Sequence, residues 1–348
     1  MSLIEKLKKN STLKETEILS NSKYFQDKNY IDTGIPMLNV ALSGKLDGGW
    51  SSGLTFWAAP SKHFKSAFTL TLARAFQRKY KDGVVIFYDS EFGTPNSYFS
   101  SLDIDKNRVL HCPITNIEEF KFDIMQQLDG ITRGEKVAII VDSVGNLASK
   151  KELDDALEGH SAQDMTRAKQ FKGLWRMLTP HLTIKDIPMS AINHVYDEQG
   201  PKYPKKIMGG GQGGILSADA IFFINKQQEK KEKELIGLNF DIIAEKSRYI
   251  KEQTKIGIMV SFKNGIDRWS GLLDNAIDAK LVDNSTQGWY SKIVDGKPTN
   301  KLRESETNNK EFWTSIITDP VFKTYIKDKY CLSEVDLLSN DVEEGDDE

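Results

Sequence analysis

Four short stretches hold residue types that could do chemistry together. In AAPSKHFKSAF, Ala58 to Phe68, the pair Lys65-Ser66 stands between an apolar run, GLTFWAA, and a helical pattern that begins at Ser66. That is the strand, loop and helix setting in which backbone N–H groups and a helix N-terminus bind phosphate. Lys65 would neutralise the outer phosphates of a nucleotide and Ser66 would hold Mg2+, inside a cradle made of Pro60, Ser61, Lys62, His63, Phe64 and Ala67. Both glycines of the usual G-x-x-x-x-G-K-[ST] spacing are missing, and alone the pair better describes an ordinary helix start with a surface lysine.

The other three stretches change that balance. VVIFYDSE ends in Asp89 and Glu91, and Glu91 is placed to orient and activate water against a terminal phosphate; the plainer reading is a solvated loop carboxylate. KVAIIVDS ends in Asp142, a carboxylate able to organise Mg2+ through its water shell. IPMSAINH ends in Asn193 and His194; His194 reads either as a structural histidine or as a sensor of the terminal phosphate that signals to the loop after it. Lys-Ser, Glu and Asp at successive strand ends make coincidence much less credible than any one of them alone.

These strands lack polar alternation and are separated by helical patterns such as SAFTLTLARAFQRKY and Ile117, Phe120, Ile124, Leu128, Ile131. Strands apolar on both faces predict an α/β fold with a mostly parallel sheet flanked by helices, with ligands at the strand C-terminal ends. DAIFFIN reads as a further buried strand, while LNFDIIA and IGIMVSF alternate and predict an antiparallel edge. Residues 3 to 20 predict a short amphipathic helix with Leu3, Ile4 and Leu7 on one side. The expected organisation is an N-terminal helical segment over 1–30, a core over 31–270, a small C-terminal region over 271–338 and an acidic tail over 339–348.

Two long connections follow buried strands without a clear element throughout. GNLASKKELDDALEGHSAQDMTRAKQ leads into Arg167, Lys169, Lys172 and Arg176, whose spacing suits a basic helix face; by itself that is more often a solvated face. VYDEQGPKYPKKIMGGGQGG holds Lys202, Lys205 and Lys206 and then Gly209, Gly210 and Gly211, a combination suited to sugar-phosphate contacts that ignore base sequence, or to a plain flexible lid.

Bulk properties bound the rest. No apolar run approaches membrane-spanning length, and the first residues mix charges without a secretory apolar segment. Cys112 and Cys331 lie far apart, which supports neither a disulfide framework nor a zinc site and fits a reducing, cytoplasmic setting. The last eight residues, DVEEGDDE, bring six carboxylates and carry the formal charge from +3 to −3. Such a tail is either a solvated end or a competitor for nucleic acid on a basic surface.

Taken in order, IDTGIPMLNVALSG, FKS, FYDSEFG, VDSVGNLASKKE, DMTRAK, AINH, IMGGG, EKSR and GLLDNAID resemble the RecA-type DNA recombinases, and among them the strand-exchange proteins of T-even phages. The resemblance spans roughly residues 1 to 315. It implies a RecA-like ATPase core, ATP and Mg2+ as ligands, and a helical filament on single-stranded DNA that pairs with duplex DNA and exchanges strands. It implies that Lys65 and Ser66 bind triphosphate and metal, that Glu91 is the catalytic carboxylate, that Asp142 is the second metal-organising acid and that Tyr98 stacks on adenine. Lys246 and Arg248 match basic residues that reach the ATP of a neighbouring protomer, the two long connections match DNA-binding loops, and the N-terminal helix would dock on an adjacent protomer. A mediator and a single-stranded-DNA-binding protein are implied partners, with no membrane, in the cytoplasm of an infected bacterium. Two other readings are a RecA-like paralogue or mediator that binds DNA without productive hydrolysis, and a hexameric helicase on the same fold. Glu91, Asp142, Lys246 and Arg248, kept together, argue against the first. At Phe64 and Ala59, where glycine is usual, the loop is expected to adopt ordinary φ values, with Pro60 stiffening its entrance.

Overall fold

The computed structural model describes residues 1–26, 28–159, 166–198, 205–231 and 234–332. In chain order the helices are α1 (Leu3–Asn10), α2 (Pro36–Ser43), α3 (Lys65–Lys79), α4 (Asn96–Ser101), α5 (Ile117–Gly130), α6 (Lys150–Leu157), α7 (Thr166–Lys185), α8 (Gln212–Ser217), α9 (Leu272–Asp278), α10 (Glu304–Thr307), α11 (Lys310–Thr318) and α12 (Pro320–Tyr330). The strands are β1 (Gly53–Ala58), β2 (Val84–Asp89), β3 (Val109–Pro113), β4 (Val137–Asp142), β5 (Pro188–Asn193), β6 (Val195–Asp197), β7 (Lys206–Met208), β8 (Ala220–Lys231), β9 (Glu234–Ser247), β10 (Lys255–Ser261), β11 (Gly265–Ile266), β12 (Val282–Asp283), β13 (Ser291–Val294) and β14 (Lys297–Pro298). Two compact units result, one of residues 1–33 and 50–224, the other of residues 34–49 and 225–348.

In the first unit the strands run parallel in the order β8-β1-β5-β4-β2-β3. The apolar runs explain the layers: β1 and β5 are buried along their whole length, so both faces must be covered. On one face Leu54, Phe56, Tyr88, Ile139 and Val141 pack with Ile117, Phe120 and Ile124 of α5 and Phe171, Leu174 and Trp175 of α7. On the other, Trp57 stacks on Phe68 of α3 and lies 4.9 Å from the Phe222 ring. The register aligns the strand ends, Ala58 beside Asn193 and Asp89 beside Asp142, so the turns after β1, β5, β4 and β2 share one rim. At the opposite edge the last carbonyls of three helices are held by cations from other elements. Arg108 donates to Gln77, Tyr80 and Gly83 at the end of α3, Lys185 to Leu128 and Ile131 at the end of α5, and Arg133 to Thr183 and Ile184 in α7.

In the second unit β9, β10 and β11 form the antiparallel arrangement that their alternation predicts. α2 is buried throughout, and Met37 touches Asn275 of α9. Trp313, Phe322 and Ile326 of α11 and α12 are buried, and Lys292 of β13, in the small β12-β13-β14 sheet, donates to Ser315 of α11 at 2.9 Å.

Several expectations need correction. The N-terminal helix stops at Asn10, where Ser11 takes an extended conformation. Among their described residues the two long connections hold elements that their composition does not suggest: α6 opens on a Ser149–Glu152 capping box, and β6 pairs with β7 as an antiparallel ribbon. The edge strand β3 escaped the pattern reading: VLHCP is short and lacks alternation, and none of its residues is buried. Among the described residues no helix is long and apolar enough to cross a membrane, and no cluster of three His, Cys, Asp or Glu side chains forms a metal cage.

Candidate functional site

The loop after β1 keeps the shape of a phosphate cradle without its glycines. Phe64 is the N-cap of α3 at φ 63°, ψ 16°, and Lys62 has φ 62°. The expectation of ordinary φ values at Phe64 is therefore overturned. A left-handed L-residue costs roughly 1–2 kcal/mol, and an edge-to-face contact of Phe64 with Phe68 at 5.7 Å supplies about 0.5–1.5 kcal/mol against it. Lys65 is buried, and its Nζ donates to the carbonyls of Ala59 and Pro60 at 3.0 and 2.9 Å. Burial pulls its ammonium below the usual lysine range, opposed by the charges of Glu91 and Asp142. His63 Nδ1 lies 2.9 Å from the Ser61 carbonyl.

Across the rim, Ser66 Oγ donates to Asp142 Oδ2 at 2.7 Å, and Thr94 Oγ1 donates to the same oxygen at 3.0 Å. Burial pushes the Asp142 carboxyl up; Glu91 and Asp89 add to this, while the Ser66 and Thr94 hydroxyls oppose it. Glu91 Oε1 accepts from Ser143 Oγ at 2.6 Å and from His194 Nε2 at 3.1 Å. The bond from His194 holds the Glu91 carboxyl below the usual range despite partial burial, and Ser143 assists. Buried Asp89 turns inward instead: its Oδ1 accepts the backbone N–H of Glu91 and Phe92, which shapes the loop that presents Glu91. Pattern reading missed Ser143 and Thr94. Ser143 directly follows the strand-end aspartate, which is a usable signal, whereas nothing local marks Thr94.

This donor set fits a magnesium-bound triphosphate. A buried ammonium bonded only to neutral carbonyls suits an anionic phosphate, and a hydroxyl already paired with a buried carboxylate is the pair that P-loop enzymes set around Mg2+. Tyr98 lies half-buried on α4, which begins after Pro95.

The basic residues divide by environment. Lys169, Lys172 and Arg176 are exposed along one face of α7. Arg167 is half-buried and turned inward, donating from Nε to the Leu147 carbonyl at 2.8 Å and from Nη2 to the Gly145 carbonyl at 2.7 Å. Lys205 and Lys206 are exposed, and Lys206 pairs with Asp197 across the β6–β7 ribbon at 2.6 Å. Lys202 lies outside the described residues. Gly210 and Gly211 have φ of 85° and 77°, and Gly209 N–H donates to the His194 carbonyl, tying the ribbon's exit to the rim. Lys246 and Arg248 stand at the end of β9 in the second unit.

A family model described as the C-terminal domain of the bacteriophage T4 recombination and repair protein matches residues 269–326. The chain is 44% identical over 351 residues to the recombination and repair protein of Enterobacteria phage T4, which covers 99% of this chain and 89% of that one. It is 25% identical over 285 residues to the RecA protein of Leptospira meyeri, with 76% of this chain and 70% of that protein covered. With the RecA protein of Delftia acidovorans it shares 25% over 302 residues, 84% of this chain and 77% of the other. A likeness of that extent to the phage protein, on a parallel sheet whose rim gathers Lys65, Glu91 and Asp142, means that the chain belongs to the recombination and repair proteins typified by UvsX of phage T4, built on a RecA-like core.

Proposed function

We propose that the chain is an ATP-dependent homologous recombination protein that forms filaments on single-stranded DNA, pairs it with duplex DNA and exchanges strands, in support of recombination, repair and recombination-dependent replication. The observation that carries this reading is the junction at His194, whose ring bonds Glu91 and whose carbonyl accepts from Gly209 of the glycine run. One residue thereby joins a phosphate-side carboxylate to the candidate DNA loop. ATP supplies a scissile phosphoanhydride and Mg2+ supplies charge neutralisation on it. Lys65 would hold the outer phosphates, Ser66 and Asp142 the metal, and Tyr98 the adenine.

The chain's own part is proton and charge management. Glu91 is held ionised because His194 and Ser143 donate to it, which suits it to orient a water by accepting a hydrogen bond from it. Lys246 and Arg248 of a neighbouring copy would stabilise the transferring charge, which would make hydrolysis depend on assembly. Lys169, Lys172, Arg176, Lys202, Lys205, Lys206 and the amides of Gly209 to Gly211 would contact the DNA backbone. A mediator and a single-stranded-DNA-binding protein are the expected partners, and the cytoplasm of an infected cell the expected setting. The paralogue reading is disfavoured because the hydrogen-bonded carboxylates of Glu91 and Asp142 are both intact.

ATP hydrolysis with and without single-stranded DNA, for wild type and Lys65→Ala, tests this. DNA should stimulate the wild type, and the substitution should lower turnover by about a hundredfold or more. Turnover indifferent to DNA, or to the loss of Lys65, would refute the proposal.

A further inference from the structure

We infer that Arg167, although it heads the basic helix face of α7, is a positioning residue that couples the first DNA loop to Glu91 and is not itself a ligand of DNA phosphate. The inference rests on the function proposed above. Three contacts carry it. The Arg167 guanidinium is occupied by two backbone carbonyls, Gly145 and Leu147, in the segment just after Asp142. Two donors on one rigid planar group fix that segment as a single ammonium would not. Gly145 lies against the His194 ring so closely that an added Cβ would come within 2.5 Å of His194 Cδ2. His194 in turn donates to Glu91 Oε1. A shift at the start of α7 therefore moves the Gly145 backbone, and the His194 ring has no room to ignore it.

The same guanidinium also lies over the Phe171 ring, 5.3 Å from its centroid. That ring is the surface facing Gly210, where an added Cβ would sit 3.4 Å from Phe171 Cδ2. Arg167 thus stands where the helix that follows the first loop, the glycine run of the second loop and the segment beside Glu91 converge. Its neighbours Lys169, Lys172 and Arg176 point to solvent and remain the phosphate contacts. Sequence spacing places all four in one set, and only the direction of the side chain separates them.

The test compares wild type, Arg167→Lys, Arg167→Gln and Gly145→Ala as full-length proteins, measuring single-stranded-DNA affinity across salt concentrations and kcat for ATP at saturating DNA. A coupling residue predicts wild-type salt slopes in all three variants, with kcat at saturating DNA reduced about tenfold, in the range of allosteric coupling. Arg167→Lys keeps the charge and the stem over Phe171 and loses the fork, so it should behave like Arg167→Gln. Gly145→Ala leaves every basic residue in place and should show the same defect through the His194 ring. A phosphate ligand predicts the reverse: a slope smaller by about 0.7 in Arg167→Gln, rescue by lysine, and normal kcat at saturating DNA. That result would overturn the inference while leaving the recombinase reading intact. A wild type that DNA fails to stimulate would overturn both.

Discussion

At the scale of single residues, the site departs from sequence pattern by replacing glycine with a residue that should not adopt its backbone conformation. Phe64 takes the left-handed geometry, and its ring supplies packing that glycine cannot. The motif was therefore legible through Lys65 and Ser66 and illegible through its glycines, because a pattern records residue types while the cradle depends on backbone direction. Asp142 makes the cost of function measurable. Its carboxyl is buried and pushed up, so the ionised form is disfavoured by folding, although the proposed metal role calls for it. A carboxyl raised in the folded protein weakens the fold above its folded value, and that penalty disappears as pH falls below its unfolded value. Asp142→Asn, which keeps an oxygen for Ser66 and Thr94, should raise stability by about 1 kcal/mol near neutral pH while abolishing ATP hydrolysis. The difference in melting temperature should vanish in acid. A variant less stable at every pH would show that the Ser66 and Thr94 bonds outweigh burial.

At the scale of elements, the central parallel strands were readable because they must be apolar on both faces, and that same requirement fixed the rim to which Asp89, Glu91, Asp142 and Asn193 belong. The β6–β7 ribbon was not readable. Its strands are three residues each, with two of the three exposed in β7, so neither apolar run nor alternation marks them. What holds them is backbone pairing, including Glu198 N–H to the Lys205 carbonyl, which leaves no signature in side-chain type. The ribbon also separates two lysines that composition treats alike. Lys206 faces Asp197, whereas Lys205 does not share that ion pair. Neutralising Lys205 should lower the salt slope of single-stranded-DNA binding by about 0.7, and neutralising Lys206 should lower it less. Asp197→Asn should strengthen binding. Equal slopes for the two lysine variants would mean that Asp197 does not compete with DNA.

At the scale of the whole molecule, the apolar side of α1 is out of place in a folded monomer. Leu3, Ile4 and Leu7 are 72%, 51% and 60% exposed on a helix with a complete capping box, so the helix is ordered by its own caps. Changing Leu3 and Leu7 to Asp should leave thermal stability within about 0.5 kcal/mol, as for exposed positions generally, and should abolish ATP-dependent assembly on DNA measured by sedimentation. Assembly that survives would remove α1 from the proposed filament contact. The three cations at the far edge of the parallel sheet have a different reach. Each α-helix carries about half a positive charge at its start and half a negative charge at its end. Arg108, Lys185 and Arg133 screen the negative ends of α3, α5 and α7. At the rim, by contrast, carboxylates stand at the positive ends: Glu118 and Glu119 lie in the first turn of α5, and Ser66 in the first turn of α3 is bonded to Asp142. The backbone dipoles at that rim are thus already partly answered, and a polyanion entering it would need a cation beside Asp142 to meet those helix starts on favourable terms.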